Sequence, residues 1–328
     1  MSATETSPVL MAAPMQGLTE AVFRNLQQER FGSFGPYMTP FISPTLEPAF
    51  TPRQLRDIER DEHRGNLIVQ LLTRRPASFI WAARDLAGMG FREVNLNLGC
   101  PASTVVARGR GSGLLRDIPA LRALLDEIFE ADLPLAVSVK TRIGFYDPAE
   151  FEDLVRLFNG YPVSRLIVHP RIRAAFYKGE IAHEALEAAR AELGIPLVYS
   201  GDIAVAADID ATLDLHPGLS GVMTGRGLVA NPALLREYVT GRTLVLSELL
   251  DFAEALYEAL AQAFGSRKNA VMHMKEYWYY FSDVFEPNPK AFKAILKATD
   301  EKGFLAATRS FAASTAFAGT ARGSWRGR

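Results

Sequence analysis

The 328-residue chain is 48% hydrophobic and 22% charged, with a net charge of −1. That balance suits a folded globular protein and argues against intrinsic disorder, and it offers no bulk attraction for nucleic acid. No run approaches the roughly 20 apolar residues that span a bilayer, and the N-terminus MSATETSPVL lacks the basic and apolar regions of a signal peptide, so the cytoplasm is the default address.

Eight short apolar or β-branched runs recur before residue 230 and predict strands: Val9 to Ala13, Tyr37 to Phe41, Leu67 to Leu71, Glu93 to Leu98, Leu135 to Thr141, Arg165 to Val168, Leu197 to Tyr199 and Gly221 to Thr224. Helical segments lie between them at Ala77 to Met89, Ile118 to Glu130, Ala149 to Asn159, Ala182 to Leu193 and Ala204 to Leu215. Strand and helix in alternation predict an α/β fold with a parallel sheet. Eight repeats close it into a (β/α)8 TIM barrel over residues 1–240, with a doubly wound open sheet as the alternative. After Gly241 only helices are expected: Leu246 to Phe264, Ala270 to Phe281, Pro289 to Ala298 and a shorter one near Thr308 to Phe317. They predict an all-helical C-terminal domain over 241–318, followed by a disordered Gly- and Arg-rich tail, 319–328. From Gly241 onward 12 Lys and Arg face 9 Asp and Glu. A polyanion partner is therefore expected to meet this part or a local patch.

In a barrel the chemistry belongs at the C-terminal strand ends, and polar residues collect there. Strand four ends in NLNLGCP, Asn95 to Pro101, which contains Cys100, the single cysteine of the chain. Alternation places Asn95 and Asn97 on one face, and the Gly99-Cys100-Pro101 turn carries the thiol past the strand end. Against this stands the ordinary fate of a free cysteine, a small buried hydrophobe. Strand five ends in Lys140 and Arg142, two apart and so on one face. Cations pointing into a barrel mouth imply an anionic or electron-rich ligand, the alternative for Lys140 being a salt bridge. Strand one runs into Pro14, Met15, Gln16 and Gly17, strand three ends in Gln70, and strand six in His169, with Arg171, Arg173 and Tyr177 following.

Strands seven and eight end in Ser200-Gly201-Asp202 and Thr224-Gly225-Arg226-Gly227. Barrels bind phosphate with these two loops, where glycine lets backbone N–H groups approach. With phosphate there, the rest of a cofactor lies toward Pro14, Met15, Gln70 and Lys140. Gln70 can donate to and accept from an imide edge, the alternative being an amide that closes a strand. Lys140 can stabilise negative charge on a reduced ring, and flavin mononucleotide (FMN) satisfies both.

These residues resemble the tRNA-dihydrouridine synthases. The likeness runs in order along most of the chain: APMQGLTEAVFR from Ala13, VQLL from Val69, NLNLGCPASTVVARGRGSGLL from Asn95, VSVKTRIGF from Val137, IVHPRIRAAFYKGEI from Ile167, YSGDI from Tyr199 and MTGRG from Met223. The resemblance implies an FMN barrel that uses NADPH to reduce the C5–C6 double bond of D-loop uridine in tRNA, with hydride to C6 and a proton to C5, and a helical domain that helps hold the RNA. It makes Cys100 the proton donor. It puts Pro14, Met15, Gln16, Gln70, Lys140, Ser200, Gly201, Asp202, Gly225 and Arg226 at FMN, with His169 beside it. Asn97 would orient the uracil or the flavin edge, Arg142 and Tyr177 would touch substrate, and Lys275 would touch an RNA phosphate. The loop Ala107 to Gly113 is expected to be mobile and to bring the thiol over the base.

The STV and GRG stretches and the helix Met272 to Ser282 resemble the bacterial C type acting on uridine 16. In that helix Tyr277, Trp278, Tyr280 and Phe281 are expected in the core. The chain departs from the family pattern at Asn95, where an acidic residue is usual, at Pro170, often glycine, and at Ser200, commonly asparagine. A monomer is expected, with no metal and no membrane. The alternatives are a dihydroorotate dehydrogenase-like FMN barrel acting on a free pyrimidine, which would not need the helical domain, and a non-catalytic RNA-binding descendant, which would not need Cys100, Lys140 and His169.

Overall fold

The computed structural model describes residues 7–59 and 66–326. Its strands are β1 Val9–Ala12, β2 Tyr37–Met38, β3 Leu67–Leu71, β4 Glu93–Leu98, β5 Ala136–Gly144, β6 Leu166–Ile172, β7 Leu197–Ser200 and β8 Gly221–Thr224. Each is parallel to the next, and β8 returns to β1 with Val9 beside Gly221 and Ala12 beside Thr224. The sheet is a closed TIM barrel, as the alternation predicts, and not an open sheet. Along β4 and β5 the register sets Asn95 beside Ser138 and Asn97 beside Lys140, so the polar residues of two strands meet at one end.

The helices are α1 Ala21–Phe31, α2 Pro52–Glu59, α3 Pro76–Gly88, α4 Ser103–Val106, α5 Ile118–Glu130, α6 Glu150–Phe158, α7 His183–Arg190, α8 Ala206–Leu215, α9 Arg226–Ala230, α10 Leu234–Thr240, α11 Leu246–Phe264, α12 Arg267–Phe281, α13 Pro289–Lys297 and α14 Glu301–Ser314. Among the described residues no helix is long and apolar enough to cross a membrane. Apolar side chains pack in three places. Met11, Met38, Ile68, Ile167, Val198 and Met223 fill the barrel interior. A larger layer, including Val69, Leu96, Phe151 and Leu186, lies between strands and outer helices. A third core gathers α11 to α14 around Phe252, Tyr277, Trp278 and Phe281.

Helix α1 joins that third core, burying Phe23, Leu26 and Phe31 there. Phe23 stacks on Tyr277 at 5.7 Å and meets Phe252 edge-on at 5.8 Å. Full burial of one such ring stabilises by about 2–3 kcal/mol. The Tyr277 hydroxyl, which donates to the Leu18 carbonyl at 2.5 Å, ties α12 to the loop after β1.

The tail differs from expectation. Residues 319–326 are packed, with Ala321 and Trp325 buried. Asp283, itself buried, accepts from the Gly323 amide at 2.7 Å and the Ser324 amide at 3.2 Å. A carboxylate that satisfies two backbone donors makes an irregular segment an ordered strap. The final two residues of the expected tail lie outside the described residues.

Candidate active site

Pro14, Met15, Gln16, Gln70, Asn97, Cys100, Lys140, Arg142, His169, Tyr177, Ser200, Gly201, Asp202, Gly225, Arg226 and Lys275 all border one cavity of about 810 Å³ at the C-terminal mouth of the barrel. Positions drawn from strand ends and one distant helix thus share a single space.

At the end of β4 the side chain of Asn97 builds the turn that presents the thiol. Its Oδ1 accepts from the Gly99 amide at 3.1 Å and the Cys100 amide at 2.9 Å, while its Nδ2 donates to Gln70 Oε1 at 2.7 Å. Gln70 Nε2 donates in turn to Asn95 Oδ1 at 2.8 Å and lies 3.1 Å from Met38 Sδ, and Asn95 Nδ2 donates to Ser138 Oγ at 3.0 Å. Four strands are therefore tied by one chain of amides that ends at the cysteine backbone. Gln70 and Asn97, expected to face the ligand, are engaged in this chain. Asn95, where the family pattern has an acid, needs a donor and an acceptor at once, and an amide supplies both.

The Cys100 carbonyl accepts from the Ser112 hydroxyl at 2.8 Å and the Ser112 amide at 3.2 Å. Gly111 makes that approach possible. Its φ is +56°, and a Cβ there would lie 2.9 Å from the Cys100 oxygen, so glycine is required on both counts. Of the loop expected to be mobile, Gly111 to Gly113 are buried in a short 3₁₀ turn that runs to Leu114, while Ala107 and Arg108 are exposed. Arg142, expected at the substrate, donates from Nε to the Gly99 carbonyl at 2.9 Å and from Nη1 to the Ile172 carbonyl at 3.1 Å. It braces the same turn from behind.

Burial raises the Cys100 thiol above its ordinary range, against the opposing pull of the Ala102 amide, Arg142, Lys140 and Arg110. The thiol is thus protonated at neutral pH. Lys140 has no hydrogen-bonding or ionic partner among the described residues, and burial, helped by Arg142, lowers its ammonium to about 8. His169 is held well below its ordinary value by burial and by Arg142, Lys140, Arg171 and Arg226. It is a neutral imidazole, and because the Arg171 guanidinium can only donate to its Nε2, at 3.1 Å, the ring hydrogen sits on Nδ1.

The loops after β7 and β8 form the opposite wall. Asp202 accepts from Arg171 at 2.5 Å and Arg226 at 2.6 Å and has a left-handed φ of +45°, a conformation aspartate tolerates better than most residues. A Cβ on Gly225 would press on Ala13 Cβ at 3.1 Å and Met15 Sδ at 3.2 Å. Arg226 and Arg142 lie over the Tyr177 ring, 5.4 and 5.3 Å from its centre.

Sequence reasoning missed part of the wall. Tyr280, expected in the core, is half-buried and borders the cavity together with Tyr279, Glu276 and Trp325. Trp325 accepts from Arg226 through its carbonyl at 2.9 Å and packs against Tyr280 at 5.9 Å. The aromatic helix was visible, but nothing local showed which ring faced inward.

The barrel resembles the old yellow enzyme homologue of Zymomonas mobilis, with a TM-score of 0.55 at 13% identity over 73% of this chain and 91% of that one. It is also like the old yellow enzyme of Trypanosoma cruzi, with a TM-score of 0.52 at 8% identity over 72% and 89%. These likenesses concern the fold. In sequence it is 29% identical over 316 residues to a probable tRNA-dihydrouridine synthase of Rhodobacter capsulatus, covering 92% of this chain and 94% of the relative. It is 29% identical over 304 residues to tRNA-dihydrouridine synthase B of Escherichia coli K12, covering 89% and 93%. The family model for dihydrouridine synthase matches residues 11–316, and the chain belongs to that family.

Proposed function

We propose that this protein is a tRNA-dihydrouridine synthase that reduces the C5–C6 bond of a D-loop uridine, with FMN in the barrel mouth and NADPH as electron donor. One observation carries the reading: a protonated thiol, Cys100, borders the same cavity as a partnerless ammonium, Lys140, and a glycine cradle at Gly201 and Gly225.

The residues fit FMN. The cavity has the size of a small-molecule site, a side chain at Gly225 would crowd Ala13 and Met15, and Lys140 and Arg226 bring positive charge to it. When bound, FMN would carry a hydride from NADPH to C6 of the uracil. The backbone amides of Ser200, Gly201, Asp202 and Gly225 and the guanidinium of Arg226, which Asp202 orients, would hold its phosphate. Pro14, Met15 and Gln16 would pack on its ring, Gln70 would reach it from β3 through the second lone pair of its Oε1, and His169 would border it as a neutral donor. Lys140 offers a positive charge to an electron-rich ring edge. Cys100 holds a proton on Sγ for C5, as a thiol that stays protonated at neutral pH can. Asn97 and Arg142 fix the turn that carries it. Tyr177 and Lys275 border the entrance where the nucleotide and its phosphate would pass. Uridine 16 as the target rests on the STV and GRG stretches and the aromatic helix, and mapping dihydrouridine in tRNA from a deletion strain decides it.

Stopped-flow measurement of the two half-reactions tests the assignment. Cys100→Ala should retain FMN and its reduction by NADPH, and should slow reoxidation by tRNA by about 100-fold or more, the scale of a positioned general acid. Reoxidation at the parent rate would remove Cys100 from the chemistry. A protein that cannot be loaded with FMN would remove the flavin.

A further inference from the structure

The excess of basic residues after Gly241 suggests that a polyanion meets that part of the chain. Yet a dense set of unpaired cations lies elsewhere, on the barrel rim. Arg74 and Arg75 follow β3, and Arg108 and Arg110 follow α4 in the loop after β4. The two loops touch: a Cβ on Gly109 would lie 3.4 Å from Arg74 Nη1. Arg74, Arg75 and Arg108 are exposed, Arg110 is half-buried, and among the described residues no carboxylate pairs with any of the four. Arg110 donates only to the Ser43 hydroxyl, at 3.3 Å, and its buried Nε finds no acceptor. Burial and, after it, the neighbouring charges of Arg108, Arg74 and Arg75 lower the affinity of Arg110 for its proton.

Four guanidiniums crowded without a counter-charge repel one another, and a chain with near-neutral net charge has carboxylates enough to pair them. The arrangement favours a ligand that brings negative charge at several points. The patch also adjoins the chemistry, since Gly111, the residue after Arg110, packs against Cys100, where an added Cβ would lie 3.1 Å from the cysteine Cβ. A single phosphate would engage one or two of these groups by fork-to-oxygen pairing. A strip across two loops matches consecutive phosphodiesters.

We propose that Arg74, Arg75, Arg108 and Arg110 form a phosphate track that grips the tRNA backbone beside the nucleotide presented to Cys100. The inference rests on tRNA being the substrate. The barrel rim, and not the helical layer alone, then positions the RNA.

The test is tRNA binding by the full-length flavoprotein, measured with an unmodified tRNA transcript across a series of salt concentrations. The triple variant Arg74→Ala, Arg75→Ala, Arg108→Ala should show a slope of log affinity against log salt shallower by about 2, at roughly 0.7 for each single-strand phosphate that is no longer neutralised. Its binding at 0.1 M salt should then weaken by about 100-fold compared with the change at 1 M. The corresponding triple lysine variant should keep most of the parent slope, because charge rather than packing carries the effect. An alanine variant with the parent slope would overturn the proposal. So would an unchanged slope accompanied by a raised KM for NADPH but not for NADH, which would assign the cluster to the cofactor's 2′-phosphate. A parent that binds no tRNA at all would overturn the substrate reading and this inference with it, whereas a binding parent with an unaffected variant overturns the track alone.

Discussion

Asn97→Ala removes three hydrogen bonds at once, the acceptor for the Gly99 and Cys100 amides and the donor to Gln70. Asn97 is buried, so the groups left behind are not simply returned to water. A buried donor or acceptor stripped of its partner costs about 1–3 kcal/mol. Water entering from the adjoining cavity can satisfy one of the two amides, which leaves the other amide and Gln70 Oε1 unpaired and an expected loss of about 2–6 kcal/mol in unfolding free energy. Asn97→Asp separates the contributions. It keeps the acceptor for both amides, loses only the Gln70 donor, and places a carboxylate across the strand from Lys140. It should cost less stability than alanine and raise the pKa of the lysine. Urea unfolding followed by circular dichroism gives the stabilities, and the rate of Cys100 alkylation reports whether the turn still holds the thiol. If alanine and aspartate variants match the parent within about 0.5 kcal/mol and alkylate at its rate, then Asn97 does not organise the turn and the argument from the amide chain fails.

Lys140 bears a burial cost that its function would explain. Its pKa, lowered from 10.5 to about 8, corresponds to about 1–3 kcal/mol of destabilisation of the flavin-free protein at neutral pH, allowing for screening by cavity water. Lys140→Met should therefore stabilise that form. The sign follows from proton linkage: between about 8 and 10.5 the unfolded chain holds the proton more firmly than the folded one, so the penalty is complete below 8 and fades as pH rises through this window. Thermal melts at pH 7 and pH 10 should show the gain at the lower value only, and a methionine variant that melts lower at pH 7 would refute it. Asp283→Ala combined with Arg326→Ala, since Arg326 also ties the strap to Asp208 and the Asp202 carbonyl, should free the strap, withdraw Trp325 from the cavity wall and Arg226 from its carbonyl, and weaken FMN binding by about tenfold, the scale of one hydrogen bond at about 1.4 kcal/mol. Flavin fluorescence titration measures it, and unchanged affinity in a variant whose strap is open to protease would show that the strap plays no part in the site.

Much of the barrel was legible because parallel strands buried on both faces are short, mostly apolar runs, as in Leu67 to Leu71, broken only by Gln70, and Gly221 to Thr224. Helix α1 was not foreseen, since AVFRNLQQERF carries buried Arg24, Gln27 and Gln28, and the partners of the first two lie far along the chain. The site residues could be picked out singly, as polar groups at strand ends. Their mutual engagement could not: alternation puts Asn95 and Asn97 on one face, but it is the register of β3 on β4, pairing Gln70 with Asn95, that brings Gln70 to both. The strap is a harder case, because Gly323 and Ser324 have no local pattern and are ordered by Asp283, which reads as an ordinary acid at the end of an aromatic helix.

That strap also bears on the order in which the molecule is completed. Domains form from the N-terminal side as the chain is made, and every strand of the barrel precedes Leu246, where the long helices begin. The wall beside Arg226 is nevertheless finished by Trp325, held there by Asp283 on the 3₁₀ turn that follows α12 and by Arg326, which pairs with Asp208 and donates to the Asp202 carbonyl. A nascent barrel can thus close its sheet while its mouth still lacks one side. Tight retention of any molecule in that mouth becomes a late event in biogenesis, a signal that the helical layer has docked.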